Sequence, residues 1–497
     1  MKGKKILALM LAVVMMVVTV VGCGSKEALD TSSDSVGKPD GNKEVEVVNL
    51  KIHTLIPEQA DQKEVFEVLN AYTKEKIGVT VDYVFHGGAY ADKIQVIIAS
   101  GEEYDACFTS NWINSYNTNV TKGAFLDIKD MLPTVAPELA KTLPETFWTA
   151  ATINGGIYAV PNQQIAARQI GALMPKEFVD ASGVDLDRLH TLTGLREYAQ
   201  YAFDNYGAKL GGVSVTQAAD YCGYEYISDY MSAGAIKMDD DKATVVNFYE
   251  TDEWKSMLNE LVDLSEAGLL DGECGYNSEY SESQRIGRKT SGLFSGTYKP
   301  GVEVEESTRA GYDCVFAKAS VEPSITTNSV VATMYGISAT SKHPEETLKY
   351  LELINTDPYV MNLLSYGIEG RHYEKITDNV IKPINGSGYS HGQSWALGNV
   401  FNTYVMEGQP EDVWEQTKAL NDSAKASVIL GFSFDQEQVK MEIASVSKVV
   451  KEYESLVGGE LPVEKTNKDF VEKLKVAGVD TVIAEMQRQV DEFMAAK

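Results

Sequence analysis

The fold is decided by residues 48–109, which read VNLKIHTLIPEQADQKEVFEVLNAYTKEKIGVTVDYVFHGGAYADKIQVIIASGEEYDACFT. Val65, Leu69 and Tyr72 lie at helical spacing, and the apolar segments on either side have the composition of β-strands. Regular alternation of strand and helix is typical of a parallel sheet with helices on its faces. We therefore expect an α/β fold. The predicted elements are strands over 48–55, 79–85 and 104–109 and helices over 61–77 and 90–100.

The alternation returns in the second half of the chain. The sequence predicts a strand over 330–338 and a helix over 344–355, followed by a mainly helical C-terminal region. A chain of 497 residues exceeds what one hydrophobic core usually supports, so we expect two domains. Two apolar stripes indicate the C-terminal helices: Val439, Ile443, Val446, Val450 and Tyr453, and then Val482, Ile483, Met486, Val490 and Phe493.

The N-terminus has the pattern of a secretory signal. Lys2, Lys4 and Lys5 precede the uncharged stretch 6–21, which is too short for a membrane-spanning helix and ends close to Cys23. The small and aliphatic residues before this cysteine resemble the lipobox of bacterial lipoproteins. A diacylated cysteine would supply the two acyl chains that stable membrane anchoring requires.

We therefore predict a lipoprotein signal peptide over 1–22 and a lipidated Cys23 at the start of a flexible tether, 23–47, rich in Ser, Asp, Gly and Lys. The expected location is the outer face of the cytoplasmic membrane. An uncleaved helical anchor is the alternative, and it also places the body of the protein outside the cytoplasm.

The charge balance excludes one class of partner. With 44 basic and 72 acidic residues, the chain has a net charge of −28 at pH 7. So acidic a protein repels phosphate backbones and lacks the basic stripe that nucleic-acid binding needs. We therefore expect no nucleic-acid partner.

No sequence motif indicates catalysis, a metal or a cofactor. The chain has no His-Glu-x-x-His and no phosphate-binding loop, and its six histidines lack metal-ligand spacing. Beyond Cys23 no cysteines form a C-x-x-C pair; Cys107 is expected to pack as a small apolar residue. A disulfide between two of Cys222, Cys274 and Cys314 stays open.

Short motifs along the chain indicate a family. They are ASGEEYD (99–105), LDI (126–128), GGIYAVP (155–161), YGIEGRHY (366–373), WALGN (395–399), GFSFD (431–435) and AEMQRQ (484–489). Together they resemble the extracellular solute-binding lipoproteins of carbohydrate ABC importers. The motifs of the second half resemble one subgroup whose C-terminal domain is of uncharacterised role. At 189–193 the chain departs from its relatives, which tend to have a Pro-x-Thr-Trp-like phrase there.

This resemblance implies a two-lobed periplasmic-binding-protein-like fold. Each lobe would be a sheet flanked by helices, with hinge strands between the lobes and a ligand cleft between them. By analogy, residues 48–162 and 315–372 form lobe 1, and residues 163–314 and 373–497 form lobe 2 with the helical C-terminal region.

Sugar recognition needs flat aromatic rings for C–H faces and paired donors and acceptors for hydroxyls. In open α/β sheets, such groups lie on loops at the carboxyl ends of strands. Glu58 and Gln59 follow the first predicted strand, and Asn111 and Trp112 follow the third. The structural alternatives are a solvated loop for the first pair and packing at the rim of the lobe for the tryptophan.

Five further residues are candidates for contact with the ligand. Tyr298, after Gly296-Thr297, resembles the turn that places a stacking ring in maltose-type relatives. Arg371 could clamp a carboxylate or a pair of hydroxyls, or else tie a helix end by a salt bridge. The remaining candidates are Asn162 next to the hinge proline, Tyr224 in a tyrosine-dense segment, and Trp395 in a Gly/Ser-rich loop.

The favoured hypothesis is a non-catalytic, monomeric receptor that captures a carbohydrate, an oligosaccharide rather than a single sugar, between two closing lobes. It would deliver the ligand to ABC permease subunits in the membrane. Two alternatives remain open at this point: a surface-anchored glycan hydrolase and a peptide-binding receptor of the same architecture.

Overall fold

The first sheet contains the three strands that were predicted within residues 48–109. The computed structural model describes residues 47–459 and 462–497. The predicted signal peptide, Cys23 and the tether up to residue 46 lie outside the described residues. The sheet contains strands in the spatial order Val79–Phe85, Val48–Thr54, Ala106–Thr109, Met334–Ile337 and Ala159–Pro161.

The helices of this region confirm the predicted alternation. They span Gln62–Ile77 and Tyr90–Ser100, and each ends at a glycine with positive φ, Gly78 at 71° and Gly101 at 68°. A left-handed glycine at this position ends a helix at little steric cost. The helix Pro344–Thr356 follows the fourth strand of the order given above, as the later alternation predicts.

The core of the first lobe follows from the periodicity of these elements. Leu50, Ile52, Val65 and Leu69 have no exposed surface, because the strand and the amphipathic helix turn their apolar sides toward each other. The predicted inward residue Tyr72 is only partly buried, since its hydroxyl reaches Asp357 at 2.7 Å.

A second sheet forms a second core. Its spatial order is Cys314–Lys318, Ile170–Pro175, Thr290–Thr297 and Lys209–Val213. A small antiparallel sheet of Tyr224–Tyr226, Gly234–Lys237 and Val246–Asn247 packs with it. The fold is thus α/β with two sheets flanked by helices.

The C-terminal helices complete the second core. They span Lys440–Tyr453, Val463–Val476 and Val479–Ala496. Both predicted apolar stripes face this core, where Val446, Val482, Met486 and Val490 have no exposed surface. None of the helices within the described ranges combines the length and the apolar character that crossing a bilayer requires.

Three segments run between the two sheets. The first, 162–169, links Ala159–Pro161 to Ile170–Pro175; the second, 319–333, links Cys314–Lys318 to Met334–Ile337. The third, 399–431, runs from residues in the first core to residues in the second. The segments hydrogen-bond to one another through Arg168 with Ser324 and through the paired strands Ser324–Ile325 and Lys425–Ala426.

The lobe boundaries stay a prediction. Two segments pack with the other lobe from the one to which the predicted boundaries assign them. Cys314–Lys318, which straddles the boundary at 314/315, pairs with Ile170–Pro175 in the second sheet. Tyr389, Ala396 and Leu397 pack in the first core although they follow residue 372. Both differences come from contacts between residues far apart in the sequence.

The remaining elements connect and cover these layers. The further helices are Tyr116–Thr121, Leu132–Val135, Pro137–Thr142, Glu145–Ala151, Lys176–Ser182, Leu192–Tyr206, Ala218–Tyr221, Asp252–Glu266, Ser278–Ile286, Val302–Ala310, Thr327–Val330, Pro358–Tyr366 and Val413–Ser423. The further strands are Thr152–Ile153, Gly156–Ile157, Tyr373–Lys375, Val380–Pro383 and Val405–Met406.

Candidate ligand-binding site

The topology brings several predicted residues to one edge of the first sheet. Val48–Thr54 and Ala106–Thr109 are parallel, and Ala159–Pro161 runs in the same direction, since it and Ala106–Thr109 are both antiparallel to Met334–Ile337. Their carboxyl ends therefore lie at a common edge, followed by residues 55–59, 110–114 and 162–164. This is the edge at which open α/β sheets bind ligands.

Trp112 lies on a tightly hydrogen-bonded turn at this edge. The hydroxyl of Ser110 accepts from the backbone N–H groups of Trp112 at 3.2 Å and Ile113 at 2.9 Å. The indole Nε1 donates to the carbonyl of Ala332 at 2.8 Å, which fixes the orientation of the ring. The side chain is nevertheless 56% exposed. An oriented, exposed indole is well suited to stack against an apolar face of a ligand.

Trp395 and Asn162 lie beside Trp112. The two indole rings are 6.3 Å apart between centroids and tilted by 50°, and each forms a T-shaped pair with Phe108. Asn162 is almost fully buried and donates from Nδ2 to the carbonyl of Trp395 at 3.3 Å. The structure thus brings these three residues together, although the first and the last of them are more than 280 positions apart in the sequence. Asn111, next to Trp112, is exposed.

Gln59 connects the end of the first strand to the loop that carries Trp395. Its Oε1 accepts from the backbone N–H of Ser390 at 3.0 Å, and its Nε2 donates to the carbonyl of Pro57 at 3.1 Å. Glu58 is exposed at the same edge. Gln59 therefore holds the loop, whereas Glu58 is free to meet solvent or a ligand.

Arg371 is engaged by two carboxylates. Its Nη2 lies 2.7 Å from Asp61 Oδ2 and its Nε lies 2.8 Å from Glu64 Oε2, both at the start of helix Gln62–Ile77. The geometry matches the structural alternative, in which the arginine ties a helix end by a salt bridge.

Two candidates lie in the second lobe. Tyr298 is partly buried, and its ring has Lys318 Nζ 3.9 Å from the centroid. Tyr224 is 6% exposed and packs on Phe248, with its hydroxyl donating to Glu253 Oε2 at 3.0 Å. Burial, together with this carboxylate, raises the pKa of the Tyr224 phenol above its usual range. Tyr224 thus contributes to packing within the second core.

A pair of histidines near the carboxyl edge of the first sheet was not predicted from the sequence. His53 Nδ1 and His86 Nε2 are 2.9 Å apart, and the two rings stack with centroids 5.2 Å apart. Burial, and secondarily the charge of His86, lowers the pKa of His53 to about 4, so this ring is neutral at physiological pH. The pair could have been found only by aligning the end of the first strand with the end of its neighbour.

Sequence reasoning also missed a clamp between the crossing segments. Asn421 Oδ1 accepts from the backbone N–H groups of Ala166 at 2.8 Å and Ala167 at 3.0 Å, and its Nδ2 donates to the carbonyl of Gln164 at 2.9 Å. One side chain of the third crossing segment thus fixes the first. No short motif marks such a residue, because its partners are over 250 positions away.

The described part of the chain has no group of three or more His, Cys, Asp or Glu residues arranged to hold a metal ion. Cys107, Cys222, Cys274 and Cys314 are free thiols. Burial raises the pKa of each, to about 12 for the first three, so these thiols are protonated and inert.

Two surface cavities lie away from the aromatic edge. One of 490 Å³ lies between the helices Gln62–Ile77 and Pro358–Tyr366 and is lined in part by Tyr72 and Tyr359. The other, of 240 Å³, is lined in part by Arg288 and Tyr312. Neither contains any of the nine predicted ligand residues, and the smaller one is lined largely by charged side chains.

Comparisons with known proteins agree with this architecture. Residues 428–495 match a domain of unknown function, DUF3502. A carbohydrate ABC transporter substrate-binding protein of Streptococcus pneumoniae serotype 4 (strain ATCC BAA-334 / TIGR4) is 27% identical over 509 residues, covering 98% of this chain and 97% of the relative.

Solved structures give the same result. The N-glycan transport solute binding protein NgtS from S. pneumoniae superposes with a TM-score of 0.81 at 25% identity, covering 90% of this chain and 99% of that chain. The complex of NgtS with Man5GlcNAc superposes with a TM-score of 0.71 at 26% identity and the same coverage.

The fold is therefore that of a two-lobed solute-binding protein. The resemblance to the solute-binding proteins of carbohydrate ABC importers, which the motifs indicated, is confirmed, and the C-terminal helices correspond to the additional domain of that subgroup.

Proposed function

We propose that this protein is the receptor of an ABC importer and captures an oligosaccharide between its two lobes. The observation that carries the proposal is the pair Trp112 and Trp395 at the carboxyl edge of the first sheet. The exposed face of Trp112 offers a flat apolar surface to the C–H face of a sugar ring. Polar groups of Asn111 and Glu58, both exposed at the same edge, are available to ligand hydroxyls.

The mechanism is binding without chemistry. A ligand that contacts both lobes favours the closed arrangement in proportion to its greater affinity for that arrangement. The closed receptor would dock on the membrane permease subunits, and separate subunits would hydrolyse ATP. A lipid anchor at Cys23 and the tether that follows would hold a monomeric receptor at the outer face of the cytoplasmic membrane.

The test is titration calorimetry of the mature chain with Cys23→Ser, which removes only the lipid. The ligands are Man1GlcNAc, Man5GlcNAc, a malto-oligosaccharide, a cello-oligosaccharide and a mixture of short peptides. We expect at least one oligosaccharide to bind and to be recovered with unchanged mass. Trp112→Ala should weaken that binding at least tenfold, because about 1.4 kcal/mol of lost stacking corresponds to a factor of ten.

Tyr359→Ala is the matched control, since this ring is 48% exposed but lies on the helix Pro358–Tyr366, away from the aromatic edge. It should leave the affinity unchanged. Shortened products would instead identify a glycan hydrolase, and binding of peptides alone would identify a peptide receptor. Either result would overturn the proposal.

A further inference from the structure

An arginine–aspartate pair lies at the corresponding edge of the second sheet. Thr290–Thr297 and Lys209–Val213 are parallel, and Cys314–Lys318 runs in the same direction because it and Thr290–Thr297 are both antiparallel to Ile170–Pro175. The carboxyl ends of the three strands therefore share the edge at which Ile170–Pro175 begins. Arg168 precedes that beginning, Asp220 follows one strand end, and Tyr298 follows another.

The backbone holds these residues in fixed positions. Ser324 exchanges two backbone hydrogen bonds with Arg168, one donated by Arg168 N at 2.6 Å and one accepted by its carbonyl at 3.1 Å. The backbone N–H of Tyr298 donates to the carbonyl of Gln169 at 2.7 Å. The backbone of Tyr298 is therefore bound to the residue that follows the arginine.

The ion pair is formed but leaves donors and acceptors free. Arg168 Nη2 lies 2.7 Å from Asp220 Oδ2, and the two side chains are 33% and 26% exposed. A guanidinium has five N–H donors, and within the described residues this is the one hydrogen bond that the Arg168 side chain makes. One helical turn before Asp220, the amide oxygen of Gln217 is buried without a hydrogen-bond partner among the described residues.

Adjacent hydroxyls of a sugar match this arrangement. One hydroxyl can accept from the free N–H groups of Arg168 while its neighbour donates to the carboxylate of Asp220. Such charge-assisted hydrogen bonds are about twice as strong as neutral ones. Since the two charges compensate each other, the pair favours an uncharged sugar over a uronic acid, and Arg371 is already bound to two carboxylates.

We propose that Arg168 and Asp220, at the sheet edge that also carries Tyr298, form the second-lobe half of the ligand site and bind adjacent hydroxyls of an uncharged oligosaccharide. This inference rests on the proposed receptor function. It assigns the second contact that a ligand needs if it is to bridge the lobes.

The experiment measures the affinity of the Cys23→Ser mature chain for Man5GlcNAc by calorimetry, with thermal unfolding in parallel. We expect Arg168→Gln and Asp220→Asn each to weaken binding tenfold or more. Arg168→Lys keeps the charge but loses the planar array of donors. It should therefore also lose affinity at an unchanged thermal midpoint, whereas a merely structural ion pair would tolerate lysine.

Arg309→Gln is the matched control, because Arg309 forms an ion pair of the same 2.7 Å length with Glu306 within the helix Val302–Ala310. It should bind Man5GlcNAc as the unsubstituted protein does. Full affinity in Arg168→Gln and Asp220→Asn, with Trp112→Ala still impaired, would overturn the second-lobe site and leave the receptor function intact. Failure of the unsubstituted protein to bind any oligosaccharide of the panel would overturn both.

Discussion

Glu225 is a buried carboxyl group whose ionisation opposes folding. It is 7% exposed and hydrogen-bonds to the hydroxyl of Ser427, which lies in the third crossing segment. Burial raises the pKa of Glu225 to about 7, the bond from Ser427 partly offsets this, and the charge of Asp220 adds to it. The side chain is therefore protonated in the folded protein at pH values where it is ionised in the unfolded chain.

The stability of the protein should depend on this group between about pH 4.5 and pH 7. Because the folded-state pKa is raised, the contribution is complete below the unfolded pKa and is lost as the pH rises through 7. Each unit of that interval corresponds to about 1.4 kcal/mol at most. We expect Glu225→Gln to be more stable than the unsubstituted protein at pH 8 and to lose that advantage at pH 5, by urea unfolding.

Glu485→Gln provides the control for this measurement. Hydrogen bonds from Arg488 and Gln489 lower the pKa of Glu485 to about 2, so its titration lies below the tested range. The stability of Glu485→Gln should therefore change with pH in the same way as that of the unsubstituted protein between pH 5 and pH 8. Parallel curves for Glu225→Gln and the unsubstituted protein would contradict the assignment of a raised pKa to Glu225.

Site residues could be predicted from the sequence where they directly follow a predicted strand, because the end of the strand fixes their position. Trp112 follows a strand that local periodicity identifies, and the topology then places it at the carboxyl edge. Tyr224 was chosen because it lies in a tyrosine-dense segment, yet its ring packs in the core. The density of tyrosines in a sequence does not distinguish exposed rings from buried ones. The partners of Arg168 and Arg371 are 52 and 310 positions away, and no local pattern specifies such a contact.

Among the elements, the C-terminal helices have a structural role within the second lobe. The indole Nε1 of Trp254, which is 1% exposed, donates to Asn467 Oδ1 at 2.9 Å, and Asn467 Nδ2 donates to the carbonyl of Tyr249 at 3.3 Å. Asn467 lies on the helix Val463–Val476, inside the segment that matches a domain of unknown function. This helix therefore satisfies buried polar groups of the lobe.

Asn467→Ala should lower the free energy of unfolding by about 1–3 kcal/mol, because it leaves a buried donor and a buried acceptor unpaired. Urea denaturation followed by tryptophan fluorescence measures the change. Lys468→Ala is the control on the same helix, since its side chain is 76% exposed. Equal stability of the two variants would show that the hydrogen bonds of Asn467 do not stabilise the lobe.

Helices and strands with local periodicity were predicted with nearly their observed bounds, whereas the assignment of elements to lobes was harder. Helix Tyr90–Ser100 and strand Val79–Phe85 have the predicted limits. The partners of Cys314–Lys318 cannot be identified from its own residues, because pairing with Ile170–Pro175 joins segments about 140 positions apart. Long-range pairing is therefore the part of the fold that sequence periodicity does not contain.

For the molecule as a whole, the crossing segments 162–169, 319–333 and 399–431 are tied to one another. Asn421 fixes the first segment to the third, and Ser324–Ile325 pairs with Lys425–Ala426, so bending is expected to be shared among the three rather than confined to one. The NgtS structure for which no ligand is named superposes better than the Man5GlcNAc complex.

We therefore expect an oligosaccharide that binds to make the protein more compact. Small-angle X-ray scattering of the Cys23→Ser mature chain should give a smaller radius of gyration at saturating ligand than without it, because only a ligand with higher affinity for the closed arrangement shifts the population. Arg168→Gln, saturated with the same sugar, should stay closer to the open value, since it lacks the second-lobe contact. A radius that does not change in the unsubstituted protein at full occupancy would mean that the sugar binds to one lobe alone, and the bridging mechanism would then be wrong.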